Sequence, residues 1–191
     1  MKLTKTWLLD NDACSEGTRW FLNQSETNSN KVLDKLISED RLDWANWLIT
    51  RLMTHKQQIK YAVYAAEQVL AIYERNYPND IRPRKAIEVA KSVVKRNTKE
   101  TRKAAKSAAA YAAKAAVYAA HAAYDTAANY TANAASAAAY AAYDTATATY
   151  AAYAAYAANA ATSKEMNIRI LNYGQLLLAN TNKKAGVLNG K

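Results

Sequence analysis

Apolar positions along this chain recur at steps of three and four residues, the period of an amphipathic helix. The clearest case is KQQIKYAVYAAEQVLAIYERNYP, where Ile59, Val63, Ala66, Leu70 and Tyr73 align on one face. Upstream, RLDWANWLITRLM places Trp44, Trp47, Leu48 and Leu52 at the same spacing. A helix carrying Val32, Leu33, Leu36 and Ile37 follows the NSN at 28–30, and an earlier one carrying Trp20 and Phe21 follows a cap at Asp10 or Asp12. Pro78 and the NDIRPR after it mark a stop and a new start, with Pro83 at the first helical position.

From Ala104 to Ala161 the pattern changes in kind. Of these 58 residues, 33 are Ala and nine are Tyr. Alanine has the highest helix propensity and loses no side-chain entropy, so the segment is committed to helix before any tertiary contact forms. The larger residues Tyr111, Lys114, Tyr118, His121, Asp125, Asn129, Asn133, Ser136, Tyr140, Tyr143 and Thr147 follow the helical repeat. That predicts one tyrosine and polar face, with bare alanine over much of the rest. A bare face lets two helices approach to the short end of the usual interaxial range of about 8–10 Å. A single helix here would be about 87 Å long. Two or three shorter helices, packed as a hairpin or layer, are expected instead. The hexapeptide AAYDTA, at 122–127 and again at 141–146, would mark the interruptions, because Asp and Thr are natural N-caps.

Composition reinforces the helical reading. Two prolines and four glycines leave little for tight turns or hairpins. The expected fold is all-α, with a multi-helix N-terminal core followed by long Ala/Tyr-rich helices. The chain divides into a helical core with a Trp cluster over 1–81 and a basic helix over 82–106. An Ala/Tyr-rich region packed on that core follows over 107–162, then a C-terminal helix and polar tail over 163–191. The single cysteine, Cys14, excludes an internal disulfide and fits a reducing cytoplasm. The opening MKLTKTWLLDND lacks the long apolar run of a signal peptide. The alanine tract exceeds the roughly 20 residues a bilayer requires. It is interrupted by Lys106, Lys114, Asp125 and Asp144, so no membrane partner is expected.

Charge is the most uneven property of the sequence. Residues 82–114 hold eleven Lys and Arg against Glu88 and Glu100, which accounts for +9 of a total of +10. Lys91, Lys95, Lys99, Arg102 and Lys106 advance by helical steps and would share one face, while Ile87, Ala90 and Val94 lie on another. One reading is a solvated face. The other is a surface for an anionic partner, since cations in line repel one another by tenths of a kcal/mol per pair and few acids relieve them here. Arg82, Arg84 and Lys85 add a cluster where a helix begins, a place that favours anions. Tyr111, Tyr118, Tyr140 and Tyr143 either pack between helices or supply stacking platforms for bases.

Signals for catalysis are missing. The sequence has no phosphate-loop glycine motif, CxxC, HExxH or nucleophile elbow. His55 and His121 stand alone, and Asp125 and Asp144 would lie about 100 degrees apart on a straight helix. No catalytic residues, metal site or cofactor are expected, and the chain reads as a binding protein.

The order DACSEGTRWF, LDWANWLITRLM, AVYAAEQVLAIYERNYPNDIRPRKAIEVAK and then an AAY-rich tract resembles the Imm-5-like immunity proteins over about residues 10–160. The segment from AVYAAE to RPRKAIE is the most specific part, and the tail after Thr162 lies outside the resemblance. It implies a small helical protein that neutralises a bacterial toxin or defence factor by binding, in a bacterium or its phage. The residues alone leave a second function open, in which the basic stripe and tyrosines hold an anionic nucleotide or nucleic acid. Extended alanine faces can close within one chain or between two, which makes a homo-oligomer a further expectation.

Overall fold

In the computed structural model the backbone is described for residues 1–123, 126–143 and 147–188, and side chains for these apart from 116–123, 126, 128, 129, 147, 148, 159 and 181–188. The described residues form ten helices: α1 (Lys5–Asp10), α2 (Ser15–Leu22), α3 (Ser29–Ser38), α4 (Leu42–Leu52), α5 (His55–Asn76), α6 (Arg82–Lys95), α7 (Lys99–Ala123), α8 (Thr126–Tyr143), α9 (Thr147–Ala160) and α10 (Lys164–Leu188). The described residues contain no β-strand, only an isolated bridge between Lys2 and Asn28. This is an all-α protein.

The N-terminal helices start where short polar side chains satisfy free backbone N–H groups. Thr4 caps α1 by accepting from the Trp7 amide, and Asn28 caps α3 by accepting from those of Asn30 and Lys31. The α2 cap is neither Asp10 nor Asp12. Asp10 ends α1, a helix the apolar pattern did not predict, and Asp12 sits at φ 58° in the turn that follows. The thiol of Cys14 takes the role, accepting from the Gly17 amide at 3.3 Å. Pro83 lies in the first turn of α6 but second in it, after Arg82.

The tryptophans hold the small helices together. Trp7 meets Trp47 and Trp20 meets Trp44 edge to face, each pair at 6.1 Å between centroids. Arg51 lies over Trp47 at 4.4 Å and Arg41 over Trp44 at 4.5 Å, so the polar rim of the cluster is built from cations on indole faces.

The centre of the molecule is α8, which packs against α5, α6, α7 and α9. Ala132, Ala134, Ala135, Ala137, Ala138, Ala139, Ala141 and Ala142 are all buried, whereas Tyr130, Asn133, Tyr140 and Tyr143 are half-buried. A helix packed against four neighbours leaves little solvent face for large side chains. Alanine is the answer to that close packing; Asn133, Tyr140 and Tyr143 keep the less buried side that their spacing predicts, and among the described members of that set on α8 Ser136 alone is buried. Two of the polar side chains turn inward onto neighbouring backbones. Ser136 donates to the Ala109 carbonyl of α7 at 3.0 Å, and Thr131 reaches the Val69 carbonyl of α5 at 3.4 Å. Such bonds use the second lone pair of a helical carbonyl, and only small residues let two helices come that close.

The alanine-rich tract thus lies in three helices, within the two or three expected. The expected caps Asp125 and Asp144 lie outside the described residues; the flanking helices stop at Ala123 and Tyr143 and resume at Thr126 and Thr147. On α9, Ala151, Ala154, Ala155, Ala157 and Ala158 face inward, while Tyr153 and Tyr156 remain half exposed.

The last helix, α10, closes the bundle over α4, α5 and α9. Gly174 makes the fit possible: a Cβ there would stand 2.6 Å from Ile49 Cδ1 and 2.8 Å from Tyr61 Cε2. Tyr173 stacks on Tyr64 at 4.0 Å, and Gln57 of α5 donates to the Leu177 carbonyl. Among the described residues, no helix is long and apolar enough to cross a membrane.

Candidate functional site

The basic segment is not one helix. It ends α6 at Lys95, runs extended through Arg96, and restarts as α7 at Lys99. The break is written in Thr98 and Thr101, whose hydroxyls each accept from the other's backbone N–H, at 3.2 and 3.0 Å. That reciprocal pair is a capping box, and it outweighs the continuous lysine spacing because it satisfies donors that a new N-terminus would leave unpaired. Lys91, Lys95, Lys99, Arg102 and Lys106 consequently do not share one face. They are divided between two packed helices that meet at a corner.

The corner separates the cations into two chemically different groups. On the α6 side nearly every one holds an acid. Arg82 and Asp80 form a pair at 2.5 Å, and Asp80 also accepts from the buried Tyr73 hydroxyl at 2.6 Å. These bonds, Arg82 first, hold the Asp80 carboxyl down at about 2, whereas burial pushes the Tyr73 phenol up. Arg84 makes a two-pronged contact with Glu74, both bonds 2.6 Å. Lys91 pairs with Glu67, and Lys85 lies 3.9 Å from Glu88.

At the corner and along α7 the picture reverses. Lys95, Arg96, Lys99 and Lys103 are exposed, and among the described residues none has an acidic partner. Arg102 donates to the Asn97 side chain at 2.9 Å, and Lys106 lies over the Tyr143 ring at 4.9 Å. An open cleft of about 580 Å³ runs through the corner, lined by Lys91, Lys95, Arg96, Ser92, Thr98 and Thr101, with Glu88 as its one acid. Arg96 and Lys103 fall outside the helical lysine register, which is why spacing alone did not single them out.

The tyrosines are mostly engaged. Tyr140 is stacked on Tyr150 at 5.2 Å, and Tyr143 lies beneath Lys106. Tyr111 is exposed beside Lys114 and borders a hollow with Ile81, Arg82, Arg84 and Lys85. The side chain of Tyr118 lies outside the described residues. Among the described residues, no three His, Cys, Asp or Glu side chains are grouped to hold a metal ion.

The described residues thus present an all-helical bundle with one corner of unpaired cations. The family described as Imm-5 like putative immunity protein matches residues 48–179, and this chain belongs to it. Membership implies an immunity role exercised on a toxin partner. The match begins after DACSEGTRWF and runs through most of α10, so it takes in tail residues that the resemblance had left out. Residues 1–56 match a second family, described as YdhT N-terminal domain. No curated protein and no solved structure matches the chain.

Proposed function

We propose that this chain neutralises its toxin, or a defence factor, by non-catalytic binding, with the α6–α7 corner turned toward an acidic or nucleic-acid-mimicking surface. The observation that carries this reading is the placement of Lys95, Arg96, Lys99 and Lys103, exposed and without an acidic partner among the described residues. Charge left unneutralised on a folded surface raises the rate of encounter with an opposite charge and disfavours wrong partners. The paired cations Arg82, Arg84 and Lys91 instead tie α6 to α5 and the turn before it, a structural use. The competing nucleotide or nucleic-acid reading has less to support it, since Tyr140 and Tyr143 already have ring or cation partners.

The test is growth protection in cells that express the toxin. Lys95→Glu, Lys99→Glu and Lys103→Glu together should abolish protection while leaving the circular dichroism spectrum and melting temperature near those of the wild type. Undiminished protection by the folded triple variant would sink the proposal. A bound oligonucleotide or nucleotide in native mass spectra of the purified protein would favour the competing reading.

A further inference from the structure

The basic corner is one end of a longer seam between α6 and α7. Its solvent side is lined on the α6 strand of the joint by Ile81, Lys85, Glu88, Ser92 and Lys95, and on α7 by Thr101, Ala108 and Tyr111. Both sets advance by helical steps, so each forms one line facing the other. Glu88 borders both the corner cleft and a hollow of about 350 Å³ beyond it, which makes the two one groove. From Ile81 to Lys95 it runs about 20 Å.

The ends of the groove differ in chemistry. At the corner Lys95, Arg96 and Lys99 are exposed and, among the described residues, lack an acidic partner. At the far end Arg82 and Arg84 are already held by Asp80 and Glu74, and two large apolar side chains stand out instead: Ile81 is 66 % and Tyr111 58 % exposed. With Arg84 they border the same hollow, and an aromatic ring and an arginine around a concavity are the make-up of a binding hot spot. This gradient narrows the occupant. A nucleic-acid strand carries phosphates along its whole length, and these would pass over the exposed Glu88 onto cations that are already neutralised. A second copy packed seam to seam would set cation against cation. A protein segment with acids at one end and an apolar side chain at the other suits both ends, and a groove between two packed helices accepts a third.

We propose that the α6–α7 seam docks an acidic amphipathic helix of the protein partner, with its carboxylates on Lys95, Arg96 and Lys99 and one aromatic or branched apolar side chain in the hollow between Ile81 and Tyr111. This rests on the charge reading of the corner and adds an apolar anchor that the charge reading does not need. The probe is a synthetic helical peptide with a glutamate cluster at one end and a phenylalanine about 20 Å along it. One control peptide carries alanine for the phenylalanine, and oligothymidylate stands for nucleic acid. Binding to the full chain is followed by fluorescence anisotropy. Ile81→Ser/Tyr111→Ser leaves every cation in place, and because both side chains are exposed its circular dichroism should match the wild type. The phenylalanine peptide should bind the wild type about tenfold or more tighter than the alanine peptide, the double variant should lose that difference, and Lys95→Glu/Lys99→Glu should weaken both peptides. The double variant should also lose growth protection against the toxin. No saturable binding of the phenylalanine peptide, equal affinity of the two peptides for the wild type, or undiminished protection by the double variant overturns the seam; the corner reading still stands if the charge reversals abolish protection. Tighter binding of oligothymidylate than of the phenylalanine peptide overturns the protein occupant.

Discussion

Replacing Gly174 by Ala sets two opposite effects against each other, and the structure decides between them. In an unconstrained helix interior the change should stabilise by about 1 kcal/mol, because glycine has the larger conformational entropy to lose. In α10 the new Cβ meets Ile49 Cδ1 at 2.6 Å and Tyr61 Cε2 at 2.8 Å, against an optimal separation of about 3.5–4.0 Å. Ile49 can rotate its terminal methyl. Tyr61 cannot yield as easily, since it is fully buried and its hydroxyl is tied to Asn46. Overpacking of this kind costs about 1–3 kcal/mol, and the distances here place it in the upper half of that range. The net expectation is a loss of about 1–2 kcal/mol, which for a chain of this size lowers the melting temperature by about 2–8 °C. Thermal unfolding followed by circular dichroism measures it. Ile49→Val removes the nearer obstructing methyl, so Gly174→Ala should cost less in that background, a coupling that a double-mutant cycle isolates. A melting temperature equal to or above the wild type would refute the close docking of α10 on α4 and α5.

Two further outcomes follow from the packing and the charges. Ala138→Leu, at the fully enclosed centre of α8, should cost about 1–3 kcal/mol or more, whereas Ala110→Leu on the exposed side of α7 should stay within about 0.5 kcal/mol, a contrast read from urea midpoints. Asp80 is held at about 2 in the folded protein, below its ordinary 3.8, by Arg82 and Tyr73. A depressed carboxylate contributes stability above its unfolded value, and that contribution is lost as pH falls through the folded one. The stability difference between wild type and Asp80→Asn should therefore be full above about pH 4 and shrink toward about pH 2. A difference that stays constant across this window would contradict the Asp80–Arg82–Tyr73 arrangement.

Helical class and the division of the alanine-rich tract into shorter helices were legible in the sequence, because propensity, length and the scarcity of glycine all agree. The burial of Thr131 and Ser136 on α8 was not. Its residues follow the same local register as a helix with one polar face, and only the arrangement of α5, α6, α7 and α9 around it shows that Ser136 and Thr131 point at backbones. The basic segment misled for a local reason: lysines at steps of three and four drew attention away from Thr98 and Thr101, whose capping pair was readable as T-x-x-T. The acids that neutralise Arg84 and Lys91, namely Glu74 and Glu67, sit on α5, and no spacing rule connects them to α6. Cys14 as a cap was likewise invisible, because thiols are uncommon caps.

The proposed role of the corner rests on where the charge lies rather than on how much there is, and charge-matched variants separate the two. Lys95→Glu/Lys99→Glu at the corner and Lys5→Glu/Lys56→Glu near the starts of α1 and α5 change the net charge equally. Association rates with the toxin would be measured for both at low and physiological salt. The corner variant should lose about tenfold or more in rate, together with most of its salt dependence, while the control resembles the wild type. Equal losses in the two variants, or none in the first, would contradict it.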